Sequence, residues 1–265
     1  CGHIGKRHAD MVNRHPESDL VALADTREAK ELGIEQYSVP FFNSLEALLT
    51  SGIEFDVLCI ATPNGFHAEH ALMGLEYKKH VVIEKPMALN KADCEKIIFK
   101  SLQVSKQVFC VMQNRYSPPS EWIKKVIDDG ILGDIYMVQI NCYWNRDERY
   151  YKKDGWKGQL SIDGGTLFTQ FSHFIDIMYW LFGDIKDIQA KFDDFTHKDL
   201  TDFEDSGFVN FRFLNGGMGS LNYSTAVWNQ NLESSLTVVA KNGSIKIGGQ
   251  YIKTIRGLGY RMHQE

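Results

Sequence analysis

The chain has 265 residues, 43% of them hydrophobic and 24% charged, which is ordinary globular composition and enough for one large or two medium domains. Its net charge of −5, with Lys and Arg dispersed, gives no basic footprint for nucleic acid, and no apolar run reaches the roughly 18 residues of a membrane span. Five widely spaced cysteines (Cys1, Cys59, Cys94, Cys110, Cys142) argue against a disulfide framework or a zinc site and for a reducing, cytoplasmic setting.

The opening Cys1-Gly2-His3-Ile4-Gly5 reads as the end of a Gly-x-Gly-x-x-Gly turn whose first glycine and preceding strand are not in the sequence, so the start looks truncated. In such a turn Gly2, with His3 and Ile4, brings backbone close to a pyrophosphate, and Gly5 lets the following helix pack with its amino end facing the anion. Asp25 closes the apolar run Leu20 to Ala24 about twenty residues further on, the spacing of a ribose-binding acid, and is followed by Thr26 and Arg27. Its charge repels a 2′-phosphate and favours NAD, although Arg27 would suit NADP; Asp25 also fits as a cap for a helix over Arg27 to Leu32.

Strands at Phe55 to Ala61, His80 to Ile83 and Val108 to Met112 then alternate with helices near Ala68 to Gly74 and Ala92 to Ser101, the rhythm of a doubly wound parallel α/β sheet. Ala61-Thr62-Pro63-Asn64 ends the first of these strands, where Thr62 and Asn64 either reach a bound cofactor or turn the chain. His67 and His70 lack a completing ligand set, so no metal is expected. The apolar run Val81 to Ile83 ends in Glu84-Lys85-Pro86, where Lys85 either faces a ligand beyond the strand's carboxyl end or pairs with Glu84 at the surface. Gln113-Asn114-Arg115-Tyr116 and Pro118-Pro119 mark a boundary, giving a Rossmann domain over 1–118 and a second domain over 119–265. Arg115 offers a fork for a substrate anion or an ion pair at that junction.

The second half starts with a helix over Ser120 to Asp128 and a strand over Ile135 to Trp144, running into a loop that holds Arg146, Arg149, Tyr150, Tyr151, Trp156 and Lys157. Rings there can stack on a sugar or base and the cations can take a carboxylate or pyrophosphate; an oligomer interface uses the same residue types. After Gly164 and Gly165 a helix over Thr166 to Phe182 carries one polar seam of Thr166, Thr169, Gln170, His173 and Asp176, and a buried polar stripe needs partners. From Ile185 onward the pattern is strand-like, with strands near Gly207 to Phe213, Gly219 to Ser224, Ser235 to Ala240 and Ser244 to Ile247. This predicts an α+β domain with a large, open, mostly antiparallel sheet, one face under the helix and another apolar face for a second subunit in a homodimer or homotetramer. The tail from Gly248 to Glu265 reads as irregular.

Gly2-x-x-Gly5 with His8, Ala61-Thr62-Pro63-Asn64 with His67, Glu84-Lys85-Pro86, and Gly164-Gly165 leading to His173 and Asp176 together resemble the Gfo/Idh/MocA oxidoreductases over nearly the whole chain. The resemblance implies a Rossmann domain for NAD(P), a carboxy-terminal open-sheet domain, and hydride transfer between a sugar carbon and nicotinamide, with Lys85 and His173 as the catalytic pair. His173 is assigned as base and Lys85 as polariser, although a desolvated lysine can take the base role. Many members place an Asp where this chain has Thr169, which cannot supply negative charge to an imidazolium. Tyr150-Tyr151 and Trp156-Lys157-Gly158 look like the subgroup acting on nucleotide-linked amino sugars or uronates of surface polysaccharides. Alternatives are a dehydrogenase of a free sugar or cyclitol, or a non-catalytic NAD-sensing regulator on the same fold.

Overall fold

The computed structural model describes residues 1–248 and the backbone of the strand at 251–256. The chain divides into two compact units, one of Cys1–Val111 with Ser161–Asp163, the other of Met112–Leu160 with the chain from Gly164 on. Among the described residues no helix is long and apolar enough to cross a membrane.

In the first unit, α1 (His3–Arg14) precedes β1 (Leu23–Ala24), a short α2 (Ala29–Leu32), β2 (Phe41–Phe42), α3 (Leu45–Thr50), β3 (Val57–Ile60), α4 (His67–Glu76), β4 (His80–Ile83), α5 (Lys91–Gln103) and β5 (Val108–Cys110). Side chains set two of the helix starts: Ser44 accepts from the Ala47 N–H at the head of α3, and Asn90 does the same for Asp93 at α5. All strand pairs here are parallel, as the Rossmann expectation requires, but they form two groups, β1 with β2 and β3-β4-β5. β4 lies in the middle of its group, with Val81 and Ile83 fully buried against Leu58, Ile60, Ala71, Leu75 and Ile97. That packing fixes the strand end that carries Glu84 and Lys85.

The second unit begins with α6 (Pro118–Asp128), which starts two residues earlier than expected because proline is tolerated in a first helical turn, and continues into β6 (Ile135–Tyr143). A short α7 (Leu160–Asp163), all but its first residue part of the first unit, is followed in the second unit by α8 (Thr166–Thr169) and α9 (Ser172–Phe182). The single helix expected over Thr166 to Phe182 is therefore broken at Gln170 and Phe171. Phe171 is fully buried and packs its ring against Trp144, Phe174 and Tyr223, and its N–H reaches back to the Thr166 carbonyl, so core packing overrides the regular helical repeat.

β7 (Ile185–Asp193), β8 (Ser206–Phe213), β9 (Met218–Ser224), β10 (Glu233–Ala240), β11 (Ser244–Gly248) and β12 (Tyr251–Arg256) join β6 in one open sheet, ordered β12-β11-β10-β6-β9-β8-β7. Every pair is antiparallel except β6 with β9. The expected irregular tail is corrected over 251–256 by β12; the remainder, 257–265, lies outside the described residues. Gly219 lies directly across from Phe211 in the β8–β9 ladder, and that ring fills the space where a Cβ would stand. Leu221, Val138, Ile140 and Val238 share that inner face with α6 and α9 residues such as Ile123 and Leu181. The outer face is not the apolar surface expected from the sequence. Its rows mix polar Gln139, Asn141, Ser220, Asn222 and Thr237, with Asn222 donating to Asn141 at 2.9 Å, with a cross-strand apolar row of Val239, Met137 and Met218 and with exposed Phe208. Strand alternation puts these polar side chains out because their neighbours Ile140 and Leu221 face in.

Candidate functional site

In the first unit the candidate residues gather at the start of α1 and the carboxyl ends of β1, β3 and β4. Gly2 caps α1 without any side-chain hydrogen bond, and the first intrahelical bond runs from the Lys6 N–H to the Gly2 carbonyl. The N–H groups of His3, Ile4 and Gly5 thus stand at a positive helix end, suited to an anion. Asp25 sits just past β1. Its carboxylate accepts from the backbone N–H and Nε of Arg27 at 3.0 and 3.2 Å. Burial works to raise its pKa, and the hydrogen bonds from Arg27 work to lower it. Asp25 does not cap α2, whose cap position is Glu28; it closes a local turn onto Arg27 instead. An uncapped helix start beside an ionised carboxylate at a strand end suits the pyrophosphate and ribose of a dinucleotide.

The loops after β3 and β4 are tied together by His67, which is almost wholly buried. One ring nitrogen lies 2.6 Å from the Pro86 carbonyl oxygen and the other 2.9 Å from that of Thr62. Thr62 Oγ1 lies 3.1 Å from His70 Nδ1, and burial lowers the pKa of His70. Asn64 is also buried, and its side chain donates to the Asp163 carbonyl at 2.8 Å. Gly65 makes this approach feasible, since a Cβ there would stand 3.0 Å from the Ile162 Cα. Asn64 therefore holds the 161–163 segment, and Ala61, Thr62 and Pro63 form a braced turn. Nothing in the sequence signals a partnership across 99 residues.

Lys85 follows β4 through a cis peptide to Pro86 and is half-buried. Its N–H donates to Glu84 Oε2 at 3.2 Å, while Glu84 Oε1 lies 2.8 Å from His8 Nε2. His8 on α1 is raised to a pKa of about 9 by the Cys59 sulfur and by the Glu84 carboxylate, against an opposing cost of burial. The folded state therefore keeps a proton that the unfolded chain releases near 6.5, so this stabilisation is complete below pH 6.5 and is lost as pH rises through about 9. His8→Gln is expected to cost about 1–3 kcal/mol near pH 6 and to flatten the fall in stability above pH 6.5. Urea midpoints measured across that window check it; a variant with the wild-type slope would place the dependence elsewhere.

In the second unit, Gly164 and Gly165 take φ of 88° and 108°, a left-handed pair that ends α7 and starts α8. The expected seam does not share one environment. Thr166 Oγ1 donates to the Glu204 carbonyl at 2.6 Å, Gln170 turns to Arg146 and Tyr150, and Asp176 accepts from Arg115. Thr169 closes α8, and His173, 8% exposed, is the second residue of α9. Arg115 donates from Nε and Nη2 to the two Asp176 oxygens at 2.8 and 2.5 Å, the ion-pair alternative rather than a fork held open for a ligand. Tyr151 is buried, packed edge-on against Tyr150, His197 and Phe203, which makes it a wall behind the loop rather than a face for a sugar. Trp156 is half-buried, and Lys157 Nζ lies 3.7 Å from the centre of the Tyr150 ring.

Comparison with known proteins agrees with this layout. Residues 1–111 match the oxidoreductase family with an NAD-binding Rossmann fold, and residues 121–246 match the GFO/IDH/MocA C-terminal domain. The crystal structure of the WlbA dehydrogenase from Bordetella pertussis, in complex with NADH and UDP-GlcNAcA, superimposes with a TM-score of 0.90 at 33% identity, over 97% of this chain and 79% of that one. The WlbA enzyme of Chromobacterium violaceum gives 0.89 at 29% identity, over 96% and 74%. D-glucoside 3-dehydrogenase of Escherichia coli is 27% identical over 241 residues, 84% of this chain and 67% of that protein. With both units matched and a relative of one-third identity spanning almost its full length, the chain belongs to the Gfo/Idh/MocA family of NAD(P)-dependent oxidoreductases.

Proposed function

We propose that the chain is an NAD-dependent dehydrogenase oxidising a secondary hydroxyl of a nucleotide-linked sugar, with Lys85 and His173 handling the hydroxyl proton. The observation that carries this reading is the near full-length similarity to an enzyme whose complex holds NADH and UDP-GlcNAcA. The N–H groups at the start of α1 take the pyrophosphate, and Asp25 accepts from the ribose hydroxyls. Asp25 occupies the place where a 2′-phosphate would sit near a carboxylate, and Arg27, turned onto Asp25, is not held out to receive that phosphate, so NAD is preferred over NADP. The nicotinamide, when bound, supplies the two-electron acceptor for the hydride. His173 removes the hydroxyl proton as hydride leaves the same carbon, and the Lys85 ammonium stabilises the developing alkoxide.

The experiment is a thermal-shift screen of nucleotide sugars and free sugars with NAD or NADP present, followed by cofactor reduction on every hit. The expected result is a concentration-dependent rise with a nucleotide-linked sugar and reduction of NAD in preference to NADP. A rise with NAD alone and no reduction across the panel would overturn the dehydrogenase reading in favour of a sensing role.

A further inference from the structure

Three arginines of the second unit differ in what surrounds them. Arg115 is neutralised by Asp176 and Arg149 by Asp147, at 2.7 Å. Arg146 is half-buried, and among the described residues no carboxylate pairs with it. Its guanidinium carbon lies 4.7 Å from the centre of the Trp144 ring and 5.0 Å from that of Tyr150. Nε donates to Gln170 Oε1 at 2.7 Å, and Nη1 donates to the Asn145 carbonyl at 2.6 Å and to Asn231 Oδ1 at 3.2 Å. Every one of these acceptors is neutral. Gln170 in turn donates to the Tyr150 hydroxyl at 2.7 Å, and Lys157 brings a second cation onto the same ring.

Removing a guanidinium from water without a counter-charge is costly, and here burial does lower the pKa of Arg146, offset only by the phenols of Tyr150 and Tyr151. The rings and Gln170 fix the orientation of the planar fork, and Nη2 is the nitrogen that these bonds leave to a ligand. A fork held rigid, desolvated and without an internal anion is built to receive one.

We infer that Arg146, braced by Trp144, Tyr150 and Gln170, receives an oxyanion of the substrate, so that the enzyme selects an anionic sugar compound. The inference rests on the dehydrogenase reading and names the chemistry of its substrate. Two sources supply such oxygens, a uronate carboxylate and a sugar-nucleotide diphosphate. The rigid fork next to rings able to stack on a sugar suits either.

The test compares wild type with Arg146→Gln on four compounds in the presence of NAD: a UDP-linked uronate, its counterpart with a neutral hydroxymethyl group, the free uronate and the free neutral sugar. The expected result is that the variant's kcat/KM falls about 10²–10³-fold more on compounds bearing the recognised anion than on the free neutral sugar. A loss confined to both uronates identifies the carboxylate, and a loss confined to both UDP compounds identifies the diphosphate; either supports the inference. An equal loss on all four shows a structural role and overturns it, a ratio that variant instability cannot imitate. Should wild type reduce no NAD with any of them, the dehydrogenase reading fails, and thermal shift with the UDP-linked uronate still decides: a rise in wild type that Arg146→Gln lacks sustains the anion site, and equal rises, or none in either protein, overturn it.

Discussion

Replacing Lys85 by Met is expected to lower kcat by about three orders of magnitude while the dissociation constant for NADH changes by less than about threefold. The reason lies in how the loop is held. Glu84 accepts from the Lys85 N–H and engages His8, and the Pro86 carbonyl is bound by buried His67, so these three anchors are made by backbone or by a neighbour. Removing the ammonium leaves those anchors in place. The loss then falls on charge stabilisation at the reacting hydroxyl, which exists only as the proton departs, so kcat and kcat/KM fall together. Steady-state turnover on the substrate identified by the screen, with NADH fluorescence titration alongside, measures both quantities. A variant within tenfold of wild-type turnover would remove Lys85 from the chemistry; a large loss of NADH affinity would make it a cofactor ligand instead.

Much of this arrangement is legible in the amino-acid sequence because it follows from local pattern. β4 occupies His80–Ile83 as expected, since a short β-branched run closed by Glu-Lys-Pro leaves little choice of boundary. Asp25 is placed by spacing from Gly2 and Gly5, and the structure puts it at the end of β1. What sequence pattern does not reveal is partnership at long range. The environment of Arg146 depends on Trp144, Gln170 and Asn231, three separate segments brought together by the sheet and α8, so Arg115, Arg146 and Arg149 look alike in sequence until the first and last are seen paired with carboxylates. The break at Phe171 is invisible for a similar reason: the stretch is apolar at a helical period, and only the rings of Trp144 and Tyr223 show that this residue must turn inward. The mixed outer face of the sheet differs from the apolar surface expected because that expectation treats exposed strands as uniform, whereas β6 and β9 alternate Gln139, Asn141, Ser220 and Asn222 with the core residues.

His173→Ala is expected to lower kcat by about 10²–10⁴-fold, the range for loss of a positioned base, and to bring the full primary deuterium isotope effect of the transferred hydrogen into view. His173 is nearly buried in the first turn of α9, two residues after fully buried Phe171, so the deletion leaves a small space in a rigid frame. That space allows a direct decision between the two assignments of the proton. Small amines added to His173→Ala and to Lys85→Ala can restore part of the lost rate, and the dependence of that rescue on amine basicity separates the roles. At the position that takes the proton, rate rises with the basicity of the added amine, because proton transfer follows Brønsted behaviour. At the position that only stabilises alkoxide, the amine acts as a cation and stronger bases bring no such rise. A positive slope in His173→Ala with a flat response in Lys85→Ala is the expected outcome. The reverse pattern would exchange the roles, assigning the proton to Lys85 and orientation of the hydroxyl to His173, and it would fit a histidine whose neighbour one turn earlier, Thr169, supplies no negative charge.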